Sequence, residues 1–107
     1  MTNISADELK AWLDDPSRSR PLLIDVREPW EWEIGRIKSS LHMPMRSIPG
    51  RLDEIDREAE VVVICHHGGR SAQVGQFLEH QGFVRIYNLA GGVHGWSVRV
   101  DSSLPIY

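Results

Sequence analysis

Short apolar runs alternate along the chain with amphipathic stretches, and the runs predict β-strands. The clearest is the uninterrupted β-branched run Val61–Ile64, which is typical of a central strand covered on both faces. A second run, over residues 22–24, predicts a buried strand that ends at Asp25. Weaker apolar runs predict strands over residues 41–43 and 84–89.

The stretches between these strands have the spacing of helices. The first helix is predicted to begin at Ser5, since Ser5 and Glu8 have capping-box spacing, and to stop before Pro16. Further helices are predicted over 28–33, over 48–55 and from about Ser71 to Gly82, whereas the tail 91–96 is expected to be rich in turns. Strands that alternate with helices predict a single α/β domain over residues 1–107, with a largely parallel sheet.

Length, composition and charge narrow the class of protein. The chain has 107 residues, the size of one domain, and its 41% hydrophobic and 25% charged residues are ordinary globular usage. A net charge of −3 disfavours a nucleic-acid-binding protein, which needs a basic surface. The apolar runs are too short to cross a membrane, and the first residues do not resemble a signal peptide. Together with a single cysteine, these features predict a cytoplasmic protein without disulfides.

The segment that follows the strand Val61–Ile64 carries the candidate chemistry. Cys65 lies at the carboxyl end of that strand, where open parallel sheets place ligands. Two glycines let the loop turn inward, so that backbone N–H groups and the positive end of the next helix converge on one centre. Cys65 is therefore the predicted catalytic nucleophile, beside an anion-binding loop whose predicted substrate-binding residues are His66, His67, Gly68, Gly69, Arg70 and Ser71.

A structural interpretation of Cys65 has to be weighed against this one. A lone cysteine at a strand end is usually a small buried hydrophobic residue. The Gly-Gly-Arg-Ser sequence that opens the next helix favours the nucleophile, because the planar fork of Arg70 can hold two oxygens of an anion.

Five histidines raise the question of a metal site. His66 and His67 are adjacent, and neighbours in sequence seldom bind one ion together. No paired cysteines and no suitably spaced histidines support zinc. His67 is instead a candidate for positioning the substrate or activating the thiol of Cys65, and at least one of the two histidines is expected simply to face solvent. The remaining histidines are interpreted as structural or surface residues: His42, His80 and His94. We therefore predict neither a metal site nor a cofactor.

Charged residues beyond the strand that ends at Asp25 are interpreted as structural. Asp25 and Arg27 are expected to form an ion pair that fixes the adjoining loop. Glu28 and Glu31 are the acids available for acid–base chemistry with Asp25, but Arg27 and Arg36 are expected to neutralise them.

Taken together, these segments resemble the rhodanese family. Residues 24–32 with 35–37 resemble its first signature, residues 65–71 its active-site loop, and residues 89–93 with Trp96 and 104–106 its C-terminal pattern. Family members commonly have histidine where this chain has Arg36, a position outside the Cys65 loop. The resemblance implies a single rhodanese-like domain, with a largely parallel five-stranded sheet flanked by helices on both faces.

The resemblance also implies a sulfurtransferase that works in two steps without a cofactor. Cys65 would take the outer sulfur of thiosulfate or of a persulfide donor and become a persulfide. Cyanide or a cellular thiol would then remove that sulfur. The implied partners are a small anionic sulfur donor, a thiol or cyanide acceptor and, as a further candidate, a sulfur-relay protein.

Other functions remain open at this point. A cysteine-dependent phosphatase needs five residues between cysteine and arginine, whereas four separate Cys65 from Arg70. An arsenate reductase would need a resolving cysteine from elsewhere, because this chain has only one. A non-catalytic binding or regulatory module, or a sulfur carrier, could share the same fold.

Overall fold

Five short strands, all parallel, form the sheet at the centre of the protein. The computed structural model describes residues 1–107. The strands are β1 (Thr2–Ile4), β2 (Leu22–Asp25), β3 (Leu41–His42), β4 (Val61–Ile64) and β5 (Ile86–Leu89), in the order β1-β5-β4-β2-β3. The apolar strand β4 thus lies at the centre of the sheet, as its sequence predicted.

Four α-helices and two short 3-10 helices connect the strands. The α-helices are α1 (Ala6–Asp14), α2 (Pro29–Ile34), α3 (Gly69–His80) and α4 (Gly92–Arg99), and the 3-10 helices are Met45–Gly50 and Leu52–Glu54. The capping box of Ser5 and Glu8 is present at the start of α1. None of these helices is long and apolar enough to cross a membrane. The predicted α/β class and the parallel five-stranded sheet are confirmed.

The two faces of the sheet are covered by different helices. Side chains alternate along β4, so that Val62 and Ile64 belong to one apolar cluster and Val61 and Val63 to the other. The first cluster contains residues of α1 and α4, including Leu9, Trp12 and Trp96. The second contains residues of α3, including Val74 and Leu78, and it also contains Cys65. Burial on both faces explains why β4 carries no polar side chain.

Residues 91–96 were predicted to be rich in turns, and this prediction is wrong for most of them, because α4 begins at Gly92. The glycines lower intrinsic helix propensity, but the first turn of α4 is held by hydrogen bonds to the loop after β4. These contacts join residues far apart in sequence, so local propensity does not register them.

Other boundaries also differ from the prediction. The expected helix over 48–55 forms as two 3-10 helices, with Pro49 inside the first. The strand β1 was not predicted, because only Ile4 of its three residues is buried. The helix expected from about Ser71 begins at Gly69, two residues closer to Cys65.

Candidate active site

Cys65 follows β4 directly and lies beneath a short loop. Its side chain is a free thiol, and the residue is only 1% exposed. The backbone N–H of Gly68 donates to Sγ at 3.0 Å, and the hydroxyl oxygen of Ser71 lies 3.2 Å from Sγ. A backbone N–H aimed at sulfur favours negative charge on it, which is what a nucleophile or a persulfide requires.

Gly68 makes this contact possible through its backbone conformation. Its φ of +113° lies in a region that residues with a side chain rarely adopt. A β-carbon at this position would also approach the backbone N of Gly91 and the carbonyl oxygen of Leu89 at 3.4 Å. The loop therefore needs glycine here, both to turn and to fit against the start of α4.

The carbonyl groups of the loop accept hydrogen bonds from the start of α4. The carbonyls of Cys65, His66 and His67 accept hydrogen bonds of 2.9–3.1 Å, from the backbone N–H groups of Val93, His94 and Gly91 respectively. These bonds fix the backbone of the loop before any ligand binds.

The N–H groups of the same loop are largely unused. Apart from Gly68, the backbone N–H groups of residues 66–71 have no acceptor within the protein. Those of residues 69–71 belong to the first turn of α3, where the helix dipole favours negative charge. The loop therefore has the donors that an anion beside Cys65 would need, although binding by individual residues of the loop stays a prediction.

Ser71 lies beneath the sulfur and not on the outer side of the loop. It is fully buried, and its hydroxyl donates to Oδ1 of Asn88 at 2.5 Å. The amide of Asn88 is oriented because its Nδ2 donates to Oδ1 of Asn3 and to the carbonyl of Gly68. Since the one hydroxyl proton of Ser71 is used in this way, the thiol of Cys65 is the donor between Sγ and Oγ.

Arg70 is engaged by a carboxylate. Its two terminal nitrogens donate to the two carboxylate oxygens of Glu31, a residue of α2. The Arg70 hydrogen bonds are the main cause that lowers the pKa of Glu31 to about 2, and the same contacts raise the pKa of Arg70. The expectation that Arg27 and Arg36 neutralise Glu31 is therefore wrong, and Arg70 does so instead. The role of Arg70 as a donor-binding residue stays a prediction.

Asp25 and Arg27 form the predicted ion pair, and both are fully buried. Arg27 donates to both oxygens of Asp25 at 2.8–3.1 Å and also to the carbonyl of Gly35 at 2.7 Å. Because Gly35 directly follows α2, the pair attaches this helix to the end of β2. It thereby positions Glu31 near Arg70.

Tyr107 contacts residues of the candidate site, and no pattern in the sequence indicated this. Its ring stacks on His66, with a centroid distance of 3.9 Å and an interplanar angle of 8°. Its hydroxyl donates to Glu31 at 2.7 Å and accepts from Arg27 at 2.9 Å. Burial is the main cause that raises the pKa of Tyr107 to about 12, so the phenol is neutral and able to donate.

Three histidines come together above the loop. The ring of His67 lies 3.9 Å from that of His66 and 5.0 Å from that of His94, measured between centroids. Burial is the main cause that lowers the pKa of His66. His94 was interpreted as a structural or surface residue with no visible chemical partner, and helix α4 brings its ring to the loop after Cys65. His42 and His80 do lie elsewhere: His42 stacks on Trp32, and His80 is exposed on α3.

No large chamber leads to the sulfur. The largest cavity, of about 580 Å³, is lined by residues such as Leu13, Ile37 and Trp96. Neither it nor the two smaller cavities is lined by Cys65 or by residues 66–71.

The chain is similar to known proteins over most of its length. Residues 5–99 match the family model described as Rhodanese-like domain. The chain is 37% identical, over 98% of its length, to rhodanese-like/PpiC domain-containing protein 12, chloroplastic, of Arabidopsis thaliana, and spans 37% of that protein. It is 42% identical over 76 residues to a sulfurtransferase of Allochromatium vinosum, which covers 71% of each chain. It is 39% identical to the thiosulfate sulfurtransferase GlpE of Actinobacillus pleuropneumoniae, over 78% of this chain and 75% of that protein.

A solved structure extends the likeness to the whole fold. The rhodanese-like domain protein of Staphylococcus aureus superposes with a TM-score of 0.84 at 33% identity, covering 100% of this chain and 99% of that one. Sequence signatures, sheet order and the family match over residues 5–99 all agree, and the chain belongs to the rhodanese-like domain family.

Proposed function

We propose that this protein is a sulfurtransferase that carries sulfane sulfur as a persulfide on Cys65. The observation that carries the proposal is the position of Sγ, which accepts from the N–H of Gly68 beneath a loop whose other N–H groups are unused. Two relatives named sulfurtransferases support the reaction class. The name of one of them supports thiosulfate as the first donor to test.

In the first step the thiolate of Cys65 attacks the outer sulfur of thiosulfate. A new S–S bond forms, the bond to the sulfonate sulfur breaks, and its electron pair leaves with sulfite. The Cys65 persulfide that remains carries the negative charge on its outer sulfur. The unused N–H groups of the loop and the dipole of α3 would stabilise the anionic donor and then the persulfide.

In the second step a thiophile attacks the outer sulfur of the persulfide. Cyanide leaves as thiocyanate, and a thiolate leaves as a persulfide of its own. In either case the electron pair of the broken S–S bond returns to Sγ of Cys65. The thiolate is regenerated, and no external oxidant or reductant is needed.

Phosphate-ester hydrolysis fits the site less well. Four residues separate Cys65 from Arg70, which makes a smaller cradle than the Cys-x5-Arg loop of phosphatases. The fork of Arg70, which would hold phosphate oxygens, is paired with Glu31. A sulfur atom is smaller than a phosphate group and therefore fits the shorter loop better.

Intact-protein mass spectrometry tests the proposal directly. Incubation with thiosulfate is expected to add one sulfur atom, about 32 Da, which cyanide then removes. Because Cys65 is the only cysteine, Cys65→Ser is expected to abolish the adduct, and circular dichroism checks that this variant folds.

The sulfur donor that forms the adduct distinguishes a thiosulfate-dependent enzyme from a sulfur carrier. An adduct that forms with a protein persulfide but not with thiosulfate would favour a sulfur carrier. No adduct with either donor, on folded and reduced protein, would contradict the proposal and favour a binding or regulatory module.

A further inference from the structure

Three imidazole rings from two separate segments meet beside the active-site loop. His66 and His67 belong to the loop after β4, and His94 belongs to α4. One ring nitrogen of each lies within 4.8 Å of a ring nitrogen of both others. Adjacent histidines can take part together here because the chain bends at residues 66–68, which places both rings on the same side.

Two nitrogen atoms of this cluster lack a partner. Nε2 of His66 and Nδ1 of His94 are buried and form no hydrogen bond. A buried polar atom without a hydrogen-bond partner lowers the stability of the fold, and native proteins seldom leave one in this state. Two such atoms in one cluster of imidazoles indicate that the cluster accepts a ligand.

The scaffold positions His66 and His94 without help from a ligand. The backbone N–H of His94 donates to the carbonyl of His66 at 3.1 Å, which couples the two segments directly. The ring of His66 is further fixed by stacking on Tyr107. His67 is exposed and its side chain is free to adjust, so a modest rotation can close the distance to a ligand shared by all three.

We propose that His66, His67 and His94 form a site for one divalent transition-metal ion of the Zn²⁺ class. Imidazole nitrogen suits such ions, with ligand distances of about 2.0–2.1 Å, whereas Mg²⁺ and Ca²⁺ require oxygen ligands. Three protein ligands leave a fourth position open to water or to an anion. The exposed side of His67 gives the ion access from solvent.

His66 and His67 belong to the loop beside Cys65, but the proposed metal ligands are imidazoles and no sulfur donor is needed to fill the site. Titration with Zn²⁺, measured by calorimetry on the reduced chain without a polyhistidine tag, therefore tests the metal site independently of sulfur transfer. One ion per chain is expected. His94→Gln is expected to weaken binding at least about tenfold, because it removes the ligand supplied by α4.

Matched variants separate this site from other metal ligands. His80→Gln, which changes an exposed histidine of α3, is expected to leave binding unchanged. Cys65→Ser is also expected to bind Zn²⁺ normally, which excludes a thiolate as the main ligand. His67→Gln changes an exposed side chain outside the core, so it tests the site even where His94→Gln disturbs folding.

The same titrations can overturn the proposal. Absence of Zn²⁺ binding to the wild-type chain would do so, as would full binding by His67→Gln or loss of binding in Cys65→Ser. A chain that binds Zn²⁺ but forms no persulfide would contradict the proposed sulfur transfer and leave the metal site intact.

Discussion

The two terminal nitrogens of Arg70 donate to the two carboxylate oxygens of Glu31, at 2.7 and 2.9 Å. The two residues are 39 positions apart in sequence, and their contact joins α2 to the start of α3. The side chain of Arg70 is about one-third exposed, whereas Glu31 is nearly covered. The positive charge of Arg70 is thus neutralised by Glu31 before a donor binds. An anionic donor would have to compete with Glu31 for Arg70.

This competition predicts the effect of Glu31→Gln on substrate binding. Glutamine keeps the shape but removes the negative charge, so the fork of Arg70 becomes available to thiosulfate. We expect KM for thiosulfate to fall by roughly three- to tenfold, and Arg70→Ala to raise it, with smaller changes in kcat. Steady-state assays with cyanide as acceptor measure both constants.

The control for this experiment is Glu54→Gln. Glu54 also accepts two hydrogen bonds from one arginine, from Nε and a terminal nitrogen of Arg51, but it lies on the surface in a 3-10 helix. Glu54→Gln should leave KM for thiosulfate unchanged. Equal KM values for wild type, Glu31→Gln and Arg70→Ala would show that the backbone N–H groups alone bind the donor.

Glu31 also predicts how stability depends on pH. Its pKa is about 2 in the folded protein and about 4.5 in the unfolded chain, mainly because of the Arg70 hydrogen bonds. The ionised carboxylate therefore stabilises the fold above about pH 4.5, and this contribution is lost as the pH falls towards 2. Solvent beside Arg70 reduces it to roughly 2 kcal/mol at neutral pH. Urea unfolding of Glu31→Gln should show that deficit at pH 7, and the difference from wild type should vanish near pH 2.

The parts of the fold that were predictable depend on local patterns. The β-branched run of β4 and the capping box of Ser5 carry their structure in a few neighbouring residues. The loop after Cys65 was also identified, because glycines before a helix in this setting form a recognisable motif.

The parts that were not predicted depend on contacts between distant residues. Tyr107 reaches Glu31 across 76 positions, and nothing around Tyr107 indicates this. His94 lies near His66 only because the start of α4 is hydrogen-bonded to the loop. The partner of Glu31 was assigned to nearby arginines, whereas the fold brings Arg70 to it from another helix. A single sequence contains no record of such pairings.

Ser71→Ala tests whether Ser71 positions the sulfur. The change removes the hydroxyl that lies 3.2 Å from Sγ and leaves buried Oδ1 of Asn88 without its donor. We expect a loss of about 1–3 kcal/mol in the free energy of unfolding, and persulfide formation slowed roughly tenfold. Single-turnover mass spectrometry measures the rate, and denaturant unfolding measures the stability.

Ser97→Ala provides the matched control. Ser97 is also buried, and its hydroxyl donates to the carbonyl of Leu104, so the variant should lose stability without losing rate. If both variants slow persulfide formation to the same degree, the effect of Ser71 would be a general loss of stability and not positioning of Cys65.

Gly92→Ala tests how tightly the loop is held by α4. The φ of Gly92 is +57°, and a β-carbon there would overlap the carbonyl oxygens of Cys65 and His66. Since those carbonyls anchor the loop, we expect a loss of at least about 3 kcal/mol in stability and little persulfide formation. Gly95→Ala, in the same helix, places its β-carbon 4.0 Å from the carbonyl of Ala90 and should stabilise the fold by about 0.5–1 kcal/mol. Thermal unfolding and persulfide formation should therefore separate the two variants, whereas similar behaviour would show that α4 can shift without moving the loop.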